Sequence, residues 1–193
     1  MAIQSICAGI TKGQDYTCSA PVSRFYQQMV IINFSDFDTK TIEAITTEAS
    51  CKRNVSFTLK SGKKGFRFSL PENSSAISGT YDKSVDDYGF ARFLHRVNFA
   101  VADATEEDKC NIEGLSKGRY VAVLQKGDMI EVYGVQNGLT AGDFTADTQA
   151  NGGFIALTLE SLETSLENHV PLVYKATIDG QEIEDFDSDF AAA

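Results

Sequence analysis

The chain has 193 residues, of which 42% are hydrophobic and 23% charged, a composition that indicates a folded globular protein and excludes an intrinsically disordered one. No apolar run reaches the ~18 to 20 residues of a membrane-spanning helix, and the length predicts one domain, with or without arms. The formal net charge of −10 argues against a nucleic-acid backbone being bound over the whole surface.

The charge is unevenly distributed along the chain. Residues 1–127 hold 16 basic and 14 acidic side chains, a net charge of +2. Residues 128–193 hold 13 acidic side chains and one basic side chain, Lys175, a net charge of −12. The C-terminal third therefore carries essentially all of the excess negative charge, which points to a charged interaction surface or lining.

Alternation of apolar and polar residues predicts β-strands along most of the chain. The predicted strands are residues 29–34, 55–59, 66–70, 93–101, 120–124, 129–133, 154–159 and 172–178. Residues 61–65 and 126–128 separate two pairs of these strands and read as hairpin turns. The strand at 120–124 is apolar on both faces, so we expect it to be central and buried. Residues 41–49 fit either a helix or a strand.

One helix is predicted in the middle of the chain. Asp103 precedes an acidic first turn and forms with Glu106 a D-x-x-E capping arrangement, and Gly114 and Gly118 are expected to end the helix. The whole pattern predicts a mainly β, single-domain protein, either a β-sandwich or a partly closed barrel, with one short flanking α-helix and extended loops. We expect an N-terminal arm at 1–26, a β-rich core at 27–181 and an acidic C-terminal arm at 182–193.

The long irregular stretches predicted at 71–89 and 135–152 are of a length that usually serves function or is ordered by a partner. The second stretch is rich in glycine and has almost no bulky side chains, so we expect that it cannot pack a core of its own.

The residues give little support to catalysis, and we predict no catalytic, cofactor-binding or metal-binding residue. His95 falls in register with the apolar residues of its strand and is expected in the core. An enzyme would have to rely on His169 with Glu163 or Glu167. Asp185 begins a D-x-D-x-D run that lacks the glycine and glutamate of a calcium-binding loop. The four cysteines form no C-x-x-C pair, and the first residues lack the features of a secretory signal, so we expect free thiols.

A basic cluster precedes and includes the first hairpin. Six of the 17 basic residues lie within residues 51–67. Alternation places the neighbouring aromatic residues on the opposite face from Lys60 and Arg67, which indicates core residues and not a platform for stacking bases. We interpret the cluster as complementary to the acidic C-terminal third of another copy, in a head-to-tail contact. The acidic tail is either a solvated end or an arm that docks Phe186 and Phe190 on a neighbour, with its acids at the rim.

Four segments carry a resemblance to a known family: residues 9–12 (GITK), 59–65 (LKSGKKG), 119–123 (RYVAV) and 154–159 (FIALTL). On these segments the chain resembles virion structural proteins of tailed bacteriophages, especially short β-rich proteins of phages and prophages of Bacteroides-like bacteria. Within that group it is most similar to tail tube proteins. A head–tail connector protein, or a capsid-decorating or adhesin-like module that does not self-assemble, would share the same profile.

The resemblance implies a β-sandwich with a flanking helix and a long hairpin or loop, six copies of which form a ring whose inner strands close into one barrel. Rings would stack through extended loops and arms, with an acidic lumen for non-adhesive passage of DNA, in a virion assembled in the bacterial cytoplasm. The partners would be other copies and other virion proteins, with no membrane span and no cofactor. The candidate contact residues are Lys60, Lys63, Lys64, Arg67, Leu139, Phe144, Asp185, Phe186, Asp187, Asp189 and Phe190.

Overall fold

The structure is a computed structural model that describes residues 26, 28–42, 54–69, 77–85, 87–102, 105–126, 129–144, 154–175, 177–178 and 181–182. Its elements in chain order are β1 (Gln28–Asn33), a 3₁₀ turn (Phe34–Asp36), β2 (Phe37–Ile42), β3 (Asn54–Leu59), β4 (Phe66–Ser69), β5 (Ser78–Val85), β6 (Ala91–Ala102), α1 (Glu106–Lys117), β7 (Tyr120–Lys126), β8 (Met129–Tyr133), β9 (Thr140–Ala141), β10 (Phe154–Glu160), β11 (Leu172–Tyr174), β12 (Thr177–Ile178) and β13 (Gln181–Glu182).

The strands form two main sheets and one small hairpin. The larger sheet has seven strands in the order β2-β3-β11-β8-β7-β1-β4, and the smaller has four in the order β5-β6-β10-β9. All strand pairs are antiparallel except β3 with β11. The prediction of a mainly β protein with a single short helix is confirmed, and the arrangement is that of a β-sandwich in which the described strands close no barrel.

The main core lies between the two sheets and follows the period of two along each strand. On the large sheet it takes Met29 and Ile31 of β1 together with Leu124 of β7, and on the small sheet Val97 and Phe99 of β6. All five side chains are buried. Because adjacent residues of a strand point to opposite faces, the intervening residues of β1 and β7 belong to the other face of the large sheet.

That other face has a core of its own, because the large sheet curls back on itself. Val30 and Val123, at one end of the sheet, belong to the same buried cluster as Phe37 and Phe57 at the other end. The 3₁₀ turn connects β1 directly to β2, which are sixth and first in the strand order. Strand β7 is consequently buried on both faces, as its sequence predicts.

Helix α1 begins two residues later than the sequence analysis expects. Thr105 is the capping residue: its side chain accepts a hydrogen bond from the backbone N–H of Asp108, whose carboxylate in turn accepts one from the N–H of Thr105. This is the reciprocal capping box. The helix ends at Gly118 as expected, but Gly114 lies inside it. A 12-residue helix is too short to cross a membrane, and the described part of the chain holds no spanning helix.

Two stretches that were expected to be irregular contain packed structure. Strand β5 occupies Ser78–Val85, within the predicted loop 71–89. In the predicted loop 135–152, Val135 and Leu139 are buried and β9 follows at Thr140–Ala141. Of the ambiguous residues 41–49, the first two belong to β2 and the others lie outside the described residues. The proposed arms also fall outside them, except for Tyr26 and the end of β13.

Candidate assembly surface

The most exposed apolar surface of the described residues belongs to the hairpin formed by β5 and β6. Every described residue of 80–85 and 87–91 is exposed, and we call these residues the hairpin arm. Its large apolar side chains are Tyr81, Val85, Tyr88 and Phe90, with Tyr88 exposed to 88%. Exposed aromatic and aliphatic side chains concentrated on one projecting element mark an interaction surface more often than a solvated loop.

The apolar side of the hairpin arm continues the core face of the sandwich. Tyr81 pairs across the hairpin with His95, and Gly79 pairs with Val97, and cross-strand partners share one face of a sheet. His95 and Val97 are buried, whereas Tyr81 is 52% exposed. The same face is therefore core at the base of the hairpin and open surface at the arm.

The opposite side of the small sheet is polar. Arg96 of β6 lies between two acids, with its Nε 3.1 Å from an oxygen of Glu160 and its Nη1 3.7 Å from an oxygen of Asp82. Thr158 Oγ1 donates to Asn98 Oδ1 at 2.8 Å. The hairpin therefore has one charged side and one side that carries Tyr81 and Val85 with Lys83 between them, and the second side is the one suited to burial against a partner.

Glu167 connects the base of the hairpin arm to the loop after β8. The backbone of Glu167 pairs with that of Phe93 in β6, with N···O distances of 2.8 and 2.9 Å. The Glu167 side chain is 1% exposed and accepts hydrogen bonds from the N–H groups of Gln136 and Asn137 at 3.0 and 2.8 Å. Burial raises the pKa of this carboxyl, while the N–H groups and Lys40 act in the opposite direction.

His95 of β6 also bonds to the loop after β8, through one of its ring nitrogens. Its Nδ1 accepts a hydrogen bond from the N–H of Gly134 at 3.1 Å, so Nε2 carries the proton and donates it to the carbonyl of His169 at 2.8 Å. The ring lies edge-on to Tyr133, with ring centroids 5.5 Å apart. Burial lowers the pKa of His95 to about 4. The prediction of a core histidine is confirmed, and its role is to join β6 to the loop after β8.

Tyr26, Tyr133 and Glu131 form a hydrogen-bonded group beside β5. The hydroxyls of Tyr26 and Tyr133 lie 2.6 and 3.1 Å from the same oxygen of Glu131. Burial is the main cause that raises the pKa of both hydroxyls. A Cβ on Gly79 of β5 would lie 2.5 Å from the Tyr133 ring, so the two sheets approach each other closely here and the side chain of Tyr133 has no room to move.

Two polar grooves flank the segment that follows β10. One, of about 390 Å³, is lined by Arg92, Asn137, Glu163, Thr164, Ser165, Leu166 and Asn168. The other, of about 300 Å³, lies beside β9 and shares Glu163 with the first. Arg92, directly after the hairpin arm, lines the first groove.

The predicted basic contact residues lie in the β3–β4 hairpin, and several already have partners. Lys60 donates to the carbonyl of Ser35 at 2.7 Å, and Lys63 Nζ lies 3.9 Å from a carboxylate oxygen of Asp36. Arg67 donates through Nε to the side-chain oxygen of Gln28 at 2.9 Å. All of these basic side chains, and Lys64 with them, are exposed.

Of the other predicted contact residues, one is buried, one is exposed and five lie outside the described residues. Leu139 is fully buried in the core between the sheets, so its prediction as an exposed contact residue is wrong: the glycine-rich loop folds inward there. Phe144 is 36% exposed. Asp185, Phe186, Asp187, Asp189 and Phe190 lie outside the described residues. The sequence did not predict the hairpin arm, because β5 is mostly polar. The sequence signal for it was the pair of aromatic residues on either side of Gly89, Tyr88 and Phe90.

The acidic C-terminal third is less exposed in the described residues than its charge suggests. Five of its acids have described side chains: Glu131, Asp143, Glu160, Glu163 and Glu167. Three of them form hydrogen bonds inside the molecule: Glu131 with Tyr26 and Tyr133, Glu160 with Arg96, and Glu167 with the backbone after β8. The remaining acids of this third lie at positions whose side chains the structure does not describe.

The residues considered for an enzyme, His169, Glu163 and Glu167, have different surroundings in the described structure. Both oxygens of Glu167 already accept backbone hydrogen bonds. Glu163 is exposed in the polar grooves, and the carbonyl of His169 accepts the His95 proton. Among the described residues, no group of three or more His, Cys, Asp or Glu side chains is placed to hold a metal ion. Cys110 is a free, exposed thiol.

Comparisons with protein-family models, with curated proteins and with solved structures returned no match to this chain.

Proposed function

We propose that the chain is a self-assembling structural protein of a bacteriophage virion, most specifically a tail tube subunit that forms stacked, hexameric rings. The observation that carries the proposal is the hairpin arm, whose apolar face continues the core face into solvent. A second copy of the chain would cover this face, and the same contact repeated from copy to copy would close into a ring.

The edges of the small sheet support the same proposal. Strand β5 has eight residues and, among the described residues, pairs only with β6. A long exposed edge strand is a template for pairing with another chain, and proteins that remain monomeric usually shorten or cover such an edge. A neighbour that adds a strand beside β5 would cover the edge and bury Tyr81 and Val85 at the same time.

The passage of DNA through such a ring requires a surface to which phosphate does not adhere. The acids that could provide it are Asp143 and Glu163, exposed in the structure, and the acids of residues 179–189, known from the sequence alone. Like-charge repulsion between these carboxylates and phosphate would keep the lumen non-adhesive. The proposal places the protein in the virion, assembled in the host cell.

The test compares the purified full chain with two double variants by sedimentation velocity and negative-stain microscopy. In the arm variant, Tyr88→Ser with Phe90→Ser, we expect loss of rings and tubes with an unchanged melting temperature, because both side chains are exposed in the subunit. The matched control is Leu162→Ser with Val170→Ser, which removes two apolar side chains that are each 40% exposed and should assemble as the wild type does. Full assembly of the arm variant would overturn the role of the arm.

A binding module that does not self-assemble is a second candidate, whether a capsid decoration or an adhesin-like sandwich. It is favoured by the same exposed aromatic rings, since Tyr88 and Tyr81 lie on the arm and Arg92 at its base lines a polar groove. Aromatic faces beside polar groups are a common way to hold a sugar. Clear hits on a glycan array that disappear in the arm variant, together with a monomeric wild type, would favour this candidate over assembly.

A further inference from the structure

The 3₁₀ turn between β1 and β2 is surrounded by cations that come from separate parts of the chain. We call this surface the basic corner and define it by Lys40, Lys60, Lys63, Lys64 and Arg119, all exposed. They belong to β2, to the β3–β4 hairpin and to the residue that follows helix α1. The sequence cluster at 51–67 therefore accounts for only part of this surface.

Four of the five cations contact residues of the 3₁₀ turn directly. Lys60 and Lys63 approach the turn from one side, through the carbonyl of Ser35 and the carboxylate of Asp36. Lys40 and Arg119 approach the ring of Phe34, with Lys40 Nζ 3.8 Å and Arg119 Cζ 5.6 Å from its centroid. The backbone N–H of Phe34 also donates to the carbonyl of Arg119 at 2.9 Å.

Among the described residues around the turn, few acids offset these cations. Asp36 has a side chain that is only 12% exposed, and Asp38 is the exposed acid of the same region. Glu167 acts electrostatically on Lys40 from within the molecule. The corner therefore presents a surplus of positive charge on a protein whose overall charge is −10.

We infer that the basic corner is the docking site for the acidic C-terminal segment, residues 182–193, of a second copy, an inference that rests on the proposed self-assembly. That segment holds Glu182, Glu184, Asp185, Asp187 and Asp189 and no basic residue, so the two surfaces are complementary in charge. Asp185, Asp187 and Asp189 alternate with Phe186, Ser188 and Phe190, so an extended strand would present these three aspartates on one side.

A nucleic-acid backbone is the competing ligand for a basic surface, and the corner suits it less well. Phe34 is the aromatic ring at its centre, and that ring already contacts Lys40 and Arg119, whereas single-stranded nucleic acid is bound by aromatic faces open to bases. The contact between copies joins unlike surfaces and would therefore propagate head to tail into a ring or a stack.

A charge-exchange experiment on the full chain tests the inference. The corner variant is Lys63→Glu with Lys64→Glu, which spares Lys40 and Lys60 because they hold backbone carbonyls. The tail variant is Asp185→Lys with Asp187→Lys. We expect each variant alone to self-associate about tenfold more weakly than the wild type, because charge reversal replaces exposed ion pairs with repulsion. Mixing the two variants should restore association.

The control is Lys109→Glu with Lys117→Glu, which changes the net charge equally at two exposed lysines of helix α1, outside both the corner and the hairpin arm. It should associate as the wild type does. If it weakens association as much as the corner variant, the effect comes from net charge and the inference is wrong. Raising NaCl from about 0.05 M to about 0.5 M should weaken the wild-type contact and leave the corner variant nearly unchanged.

Zero-length carbodiimide crosslinking of mixed ¹⁴N and ¹⁵N copies provides a second readout. We expect isotopically mixed crosslinks between Lys63 or Lys64 and the acids at 185–189. Crosslinks within one copy alone would overturn docking between copies. Rings that form equally well from the corner variant would overturn the inference and leave the proposed function standing, whereas a monomeric wild type would remove both. Binding of duplex DNA that is lost only in the corner variant, with assembly unchanged, would assign the corner to nucleic acid.

Discussion

Acidification should weaken the fold through His95, the histidine that joins β6 to the loop after β8. Protonation would place a hydrogen on Nδ1, which accepts the N–H of Gly134 in the neutral ring. The imidazolium would then face a donor and lose this bond. Tyr133 and His169 are the neighbouring titratable residues, and neither supplies a negative charge to compensate.

The size of the effect follows from the difference between the folded and unfolded pKa values. The pKa of His95 falls from 6.5 to about 4 on folding, and each pKa unit is worth about 1.4 kcal/mol. Because the folded pKa is the lower one, the stabilising contribution is fully present above pH 6.5 and is lost as the pH falls through the folded pKa. The loss between neutral pH and about pH 4 is roughly 3 kcal/mol.

The assay is urea unfolding followed by circular dichroism at pH values between about 4 and about 8. His95→Asn is the informative variant because its side-chain oxygen can accept the Gly134 N–H but does not titrate. His169→Asn is the matched control, since the chain has only these two histidines. Carboxylates titrate in all three proteins, so the measured quantity is the difference in slope of the unfolding free energy with pH. The same acid dependence in His95→Asn and wild type would refute the reasoning.

Three glycine substitutions test the packing. Gly114→Ala should stabilise the protein by about 1 kcal/mol, because a Cβ there meets nothing within 4 Å inside a helix. Gly118→Ala should destabilise it by about 1–3 kcal/mol, because its Cβ would overlap the Tyr120 hydroxyl. Gly79→Ala should destabilise the protein by a similar ~1–3 kcal/mol, because its Cβ would overlap the ring of Tyr133. Thermal unfolding measures all three, and a neutral Gly118→Ala would contradict the close contact.

Period-two alternation was sufficient to predict most strands, because each one buries one face. Strand β7 could be recognised as central from its continuous apolar run, and it lies between β8 and β1. Strand β5 could not be found this way, because its sequence SGTYDKSV is mostly polar and all but its first two residues are exposed. Its strand character comes from pairing with β6, which is a property of the tertiary structure and not of its own composition.

The candidate assembly surface could likewise be predicted only in part from the sequence. The burial of His95 could be predicted from its register with apolar residues, but its hydrogen bonds depend on Gly134 and His169, which are distant in sequence. The buried state of Leu139 was missed because glycines surround it, and they allow the chain to turn inward. Charge counting likewise located an acidic third without distinguishing Glu167, which is bonded inside the fold, from exposed acids.

We propose that this chain assembles with copies of itself, and direct imaging tests that proposal. Purified full-length protein should give rings or stacked tubes by negative-stain microscopy, with a sedimentation coefficient that rises with concentration and falls with salt. A particle that stays monomeric at every concentration and salt tested would contradict the account.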